Sequence, residues 1–139
     1  MTFAINWLGV IVGVIASWLV GAVWYMLLAE RWMAAIGKTR DQINSKDPTP
    51  FIIGFVCQLV MGVVLAGIMP ALFGATSAVN GLLTGGLMWL GFVITAMILN
   101  HRYEGAPWSR TFIDGGYLLL ALLIQGLVIG LFGSGAPAA

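Results

Sequence analysis

Charge is what this chain has least of. Only 8% of its 139 residues are Asp, Glu, Lys or Arg, against roughly 25% in a soluble domain. That is too little to clothe a surface for water, so the expected solvent is lipid. A net charge of +1 supplies no basic stripe and excludes nucleic acid as a partner. Cysteine is almost missing. Cys57 stands alone, which rules out an intrachain disulfide and a thiolate cage for a metal. It lies in the apolar run Phe55-Val56-Cys57-Gln58-Leu59 and reads as a small buried hydrophobe. No Gly-rich loop precedes a Lys, no His-Glu-x-x-His occurs, and nothing supports a dyad of Cys57 with the single histidine, His101. No catalytic residue, metal ligand or cofactor site is expected.

What the chain does have is long apolar runs. Its charged side chains fall in two windows. The first holds Glu30, Arg31, Lys38, Arg40, Asp41, Lys46 and Asp47; the second holds Arg102, Glu104, Arg110 and Asp114. A helix needs about 20 apolar residues to cross ~30 Å of hydrocarbon. The charge-free stretches 2–29 and 115–139 each fit one span, and 48–101 fits two, turning after Pro70 through Gly74-Ala75-Thr76-Ser77. The expected fold is an all-α, integral-membrane bundle of four transmembrane helices in a single domain. Its helices lie at about 4–28, 51–73, 80–100 and 112–132, its charged loops at about 29–50 and 101–111, and a flexible tail at about 133–139. All six Lys and Arg lie in the two loops that share one side. By the positive-inside rule these loops are cytoplasmic, and both termini lie on the other side of a cell inner membrane. The first run lacks a basic leader and exceeds the usual ~7–15 residues of a signal peptide, so it reads as a retained helix.

Glycine is plentiful, at 19 residues. Gly9, Gly13, Ser17 and Gly21 recur every fourth position, on one helix face. This is a groove for a neighbouring helix, and Val10 is expected to face lipid instead. Gly126, Gly130 and Ser134 repeat the theme in the last helix. Trp24, Tyr25 and Trp32 mark the cytoplasmic end of the first helix, whereas Trp18 and Trp89 lie too deep for an interfacial belt. Residues 30–37 read as a short interfacial helix ended by Gly37. Thr39-x-x-Gln42 has the form of a capping box.

Polar residues within the spans are few: Ser17, Gln58, Thr84, Thr95, Asn100, Asp114 and Gln125. Gln58 and Thr95 fall at similar depth, about 8–11 Å from the cytoplasmic ends, and are placed to bond across the bundle. They are either structural glue or the lining of a ligand path. The candidate binding group is Asn100, Glu104, Asp114 and Tyr117, at the cytoplasmic mouth of the last two helices. Asp114 is expected in the first turn of the last helix, with Arg110 in reach to pair with it and Asn100 capping the helix before. Ordinary helix-end chemistry is the alternative for the whole group.

Several stretches carry a resemblance: Asn6-Trp7, Gly21-Ala22-Val23-Trp24-Tyr25, Trp32, Met88-Trp89-Leu90-Gly91-Phe92-Val93-x-Thr95, Asn100-x-x-x-Glu104-Gly105 and Phe112-Ile113-Asp114-x-Gly116-Tyr117. From Asn6 to about Gly130 the chain resembles the domain-of-unknown-function 1761 family, small bacterial membrane proteins of four helices. It departs from that pattern at Met26-Leu27, where the family has a proline. The resemblance implies the fold and no activity. Small multidrug exporters need an acidic residue within the first helix, and Glu30 lies beyond it; four-helix quinone-dependent redox proteins need paired cysteines. The favoured expectation is a non-enzymatic component that packs in the lipid bilayer with a second copy or another membrane protein. A carrier or binder of small molecules, with the polar group at its mouth, is the alternative.

Overall fold

Asn6 opens the first helix. Its side-chain oxygen accepts the Gly9 N–H at 3.1 Å, an N-cap bond, and α1 runs from Trp7 to Leu27. The structure, a computed structural model, describes residues 4–44 and 46–135. A short helix, α2 (Ala29–Ile36), ends at Gly37 with φ 71°, a left-handed position that suits glycine. A single 3-10 turn, Arg40–Gln42, follows, and the Gln42 side chain accepts the Thr39 N–H at 2.8 Å. The long helix α3 (Thr49–Phe73) starts beside Asp47, whose carboxylate accepts the Thr49 N–H at 3.0 Å. Hydrogen bonds from the Thr49 backbone and side chain hold the Asp47 carboxyl below the usual carboxylate range. Ser77 caps α4 (Ala78–Met88) by accepting the Asn80 N–H. A π-helical turn at Trp89–Val93 joins α4 to α5 (Ile94–Tyr103), and α6 (Trp108–Phe132) starts directly after Pro107.

Among the described residues, four stretches are long and apolar enough to cross a membrane: Trp7–Leu27, Thr49–Phe73, Ala78–Tyr103 and Trp108–Phe132. They run alternately up and down, so the charged segments gather at one end and the Gly74–Ser77 turn lies at the other. α6 is the central element and touches α1, α3 and α4. Leu8, Ile11, Val60, Val64, Leu90 and Phe92 are exposed on the outside. An apolar outer surface of this kind suits lipid and would associate in water.

Three helix ends differ from the sequence expectation, the first being the start of α1 at Trp7 rather than near residue 4. The third span runs on to Tyr103 and the fourth begins at Trp108, because a helix does not stop where its apolar run stops. Polar side chains at 100–103 and 109–111 extend both spans at the charged end. Of the tail expected to be flexible, Gly135 donates its N–H to the Ala4 carbonyl at 3.2 Å, and residues 136–139 lie outside the described residues.

Close packing is set by small residues. Gly9, Gly13, Ser17 and Gly21 are all buried and face α6. A Cβ on Gly9 would fall 2.9 Å from Phe132, one on Gly13 3.4 Å from the Gln125 backbone, and one on Gly21 2.6 Å from the Tyr117 ring. On the opposite flank of α6, Gly81 meets Gly126, Gly85 meets the Leu122 carbonyl and Gly130 meets the Ser77 carbonyl. These approaches bring backbone against backbone, which is how helices gain contact energy where lipid supplies no hydrophobic drive.

Val10, expected toward lipid, is completely buried. It packs with Val14, Leu65, Met69 and Ile129. α1 contacts α3 as well as α6, so its inner face is wider than the glycine stripe. Cys57, expected to be buried, is exposed. An apolar run in a membrane helix does not separate inside from outside, because lipid and core are equally apolar.

Candidate functional site

The first half of α6 is a platform on which three other segments converge. The Trp24 indole N–H, from α1, donates to the Ile113 carbonyl at 2.9 Å. The Trp89 indole N–H, from the π-turn, donates to the Gly115 carbonyl at 2.8 Å. Bare glycine makes room for Trp24 and for Ile94, the first residue of α5. A Cβ on Gly116 would sit 3.0 Å from the Trp24 ring, and one on Gly115 would sit 2.8 Å from Ile94 Cδ1. Between the two carbonyls, Asp114 accepts the Tyr25 hydroxyl at 2.7 Å, a charge-assisted bond when the carboxylate is ionised. The Tyr25 ring stands edge-on to Tyr117 at 5.4 Å and to Trp32 at 5.8 Å. This is the favoured T-shaped geometry of aromatic pairs.

Below this layer lies a buried polar cluster. Tyr117 accepts the Gln58 side-chain amide N–H. The Gln58 oxygen accepts the Ser17 hydroxyl at 2.6 Å, and Ser17 Oγ accepts the Gln125 amide N–H at 3.0 Å. The Val14 carbonyl is a second acceptor for Ser17, at 2.9 Å. One hydroxyl proton serves one acceptor at a time, and the shorter contact is to Gln58. Ser17 and Gln125 are fully buried and Gln58 nearly so, and together they tie α1, α3 and α6. Within this cluster Gln125 Oε1 has no hydrogen-bond partner among the described residues. It faces Gly62, where an added Cβ would lie 3.6 Å from it. The cluster consists of amides, a hydroxyl and a phenol, so it orders the bundle and holds no nucleophile–base pair. Among the described residues no group of three His, Cys, Asp or Glu comes together.

A family profile described as "protein of unknown function (DUF1761)" matches residues 8–130. The chain belongs to the DUF1761 family. No curated protein and no solved structure matches it. In this DUF1761 chain the stretches that carry the resemblance are far apart in sequence, yet three of them meet at one place: Trp24-Tyr25, Trp89 and Ile113–Tyr117.

The four residues grouped from sequence do not form one cluster. Asp114 and Tyr117 come together, both against Tyr25. Asn100 and Glu104 do not join them. Asn100 is exposed, and since α5 continues past it, Asn100 does not cap that helix with its side chain. Glu104 pairs with Arg110 at 3.5 Å, so Arg110 is not the partner of Asp114. Asp114 itself lies nearly two turns into α6 rather than in its first turn, because the helix begins at Trp108. His101 and Arg102 both reach Thr111, at 2.7 and 3.0 Å, and the Arg102 guanidinium lies 3.7 Å over the Trp108 ring, a cation–π contact.

The expected bond between Gln58 and Thr95 does not form. Thr95 is exposed and donates to the Gly91 carbonyl of its own helix at 2.9 Å. Its place beside Gln58 is taken by Ser17, Tyr117 and Gln125. The residues that sequence reasoning missed are Trp24, Tyr25 and Trp89. Their signal was present, because all three lie within the family stretches and two carry an N–H donor that needs a partner when buried. Two grooves flank the site at the charged end. One of about 570 Å³ runs between α1, α2 and α6 beside Trp24, Arg31 and Phe112. The other, of about 340 Å³, lies over Tyr25, Trp32 and Arg40.

Proposed function

We propose that this DUF1761 protein is a non-enzymatic membrane component that acts by helix packing, with itself or within a larger membrane complex. We further propose that it resides in a bacterial inner membrane, with its charged end toward the cytoplasm. One observation supports this reading best: Gln125 Oε1 apart, the side chains of the buried cluster are occupied by one another. Ser17, Gln58, Tyr117 and Gln125 bond in a chain, and Asp114 is engaged by Tyr25. A carrier needs polar groups turned toward a passage, and only Asp114 and Tyr117 of the proposed mouth lie side by side. The complete segregation of Lys and Arg to one end supports the orientation. The test is self-association in a bilayer. Protein labelled with donor and acceptor fluorophores and reconstituted in vesicles should show energy transfer that unlabelled protein competes away. Strictly monomeric behaviour at all protein-to-lipid ratios, with no stoichiometric partner in the native membrane, would count against the proposal.

A further inference from the structure

We propose that the groove between α1, α2 and α6 seats an anionic phospholipid of the surrounding bilayer. The groove, about 570 Å³, is lined by apolar side chains that include Trp24, Leu28, Phe112 and Ile113, with Arg31 as its only charged residue. Its volume falls within the range of small-ligand sites. Arg31 lies in α2, is exposed, and has no ion-pair partner among the described residues. Small side chains at Ala34 and Ala35 keep the α2 wall low, and the Ser109 hydroxyl adds a donor at the other wall. Depth argues for lipid over a soluble ligand. α1 ends at Leu27 and α2 lies in the charged segment that follows, so the groove crosses the level where an acyl chain meets its phosphate. An acyl chain fits the Trp24, Leu28 and Phe112 wall, and a guanidinium forks onto a phosphate through two parallel hydrogen bonds. A neutral zwitterionic lipid would place its own cation beside Arg31, so the groove favours a headgroup of net negative charge. This site does not depend on the packing role, since its lining includes none of Ser17, Gln58, Tyr117 and Gln125.

The experiment is native mass spectrometry of the full chain in mild detergent, titrated with phosphatidylglycerol or phosphatidylcholine of matched acyl chains. Phosphatidylglycerol should be retained about tenfold more tightly. Arg31→Gln should abolish that preference. Lys38→Gln, on the same loop but outside the groove, should keep it. Ala34→Leu should fill the groove and weaken both lipids while leaving the helical circular-dichroism signal unchanged. Equal retention of the two lipids by the unaltered protein, or equal losses from Arg31→Gln and Lys38→Gln, overturns the proposal. Displacement of phosphatidylglycerol by millimolar inorganic phosphate also overturns it, because the site would then read a free anion.

Discussion

Gly81 and Gly126 face each other across the α4–α6 contact so closely that a methyl group on either would overlap the other's peptide carbonyl. Neither helix can move away without opening the neighbouring Gly85–Leu122 and Gly130–Ser77 approaches. Gly81→Ala should therefore destabilise the bundle by ~1–3 kcal/mol or more through overpacking. Gly86→Ala, where nothing lies within reach of an added Cβ, should be within about 0.5 kcal/mol of the parent. Thermal unfolding in detergent, followed by circular dichroism, separates the two. Equal effects would mean that the close approach is not a stabilising contact.

Tyr25→Phe removes the donor to Asp114 and should cost about 0.5–1.5 kcal/mol. Asp114→Asn keeps an acceptor and should cost less than Asp114→Leu, which leaves the half-buried hydroxyl of Tyr25 unpaired. If the two residues act as a pair, the Tyr25→Phe/Asp114→Leu double variant should lose less than the sum of the single losses. Strict additivity would show that the 2.7 Å bond contributes nothing. Function is read separately. Loss of the deletion phenotype's rescue by a stably folded Asp114→Asn protein would mark the carboxylate as needed for its charge.

Ser17→Ala should be the costliest single change within the buried cluster, because Ser17 Oγ meets both Gln58 and Gln125. Membrane hydrogen bonds are worth roughly 0.6–2 kcal/mol each, so a loss of ~1–3 kcal/mol is expected by unfolding in mixed micelles. Thr95→Val, which removes only a bond within its own helix, should be close to neutral. An inverted order would mean that the cluster does not hold α1, α3 and α6 together.

Much of the fold is written in the charge pattern. Eleven charged residues in two windows divide the chain into runs of membrane length, and the four spans follow. Which side of each span faces inward is far less legible. Val10 is buried and Cys57 exposed, the reverse of both expectations, because an apolar side chain carries no label for core against lipid. Small and polar residues carry more of one: Gly13, Ser17, Gln58 and Gln125 all turn inward, though Thr95 and Gly86 do not. Asp114 and Tyr117 were legible as neighbours from their spacing along α6. Their partner Tyr25 was not, since aromatic residues near a helix end fit an interfacial belt equally well. Trp89 was not legible either, because its direction depends on a π-turn that the residue pattern does not announce.

Orientation has its own test. A reporter active only in the cytoplasm should be active when inserted within the segment from Lys38 to Asp47 and silent when fused after Ala139. The reverse pattern would place the charged loops on the other side and remove the support that the positive-inside rule lends.

The π-turn at Trp89–Val93, closed by an Ile94 N–H to Trp89 carbonyl bond, has a consequence for rotational phase. An α-helix advances about 100° per residue, so in an unbroken helix Gly85 and His101 would point about 160° apart. The wider turn absorbs one residue, and the offset falls to about 60°. That is why one span offers Gly85 to Leu122 midway along α6 and His101 to Thr111 near its start. Regularising Trp89–Val93 to an α-helical turn at unchanged chain length would rotate the second half by about 100° and take His101 and Arg102 off Thr111, whereas deleting one residue there would leave a regular helix with the same offset of about 60°. A one-residue insertion nearer Gly85 would misphase the first half instead. The irregular turn works as a spacer of angle, letting two segments of one helix address the same neighbour.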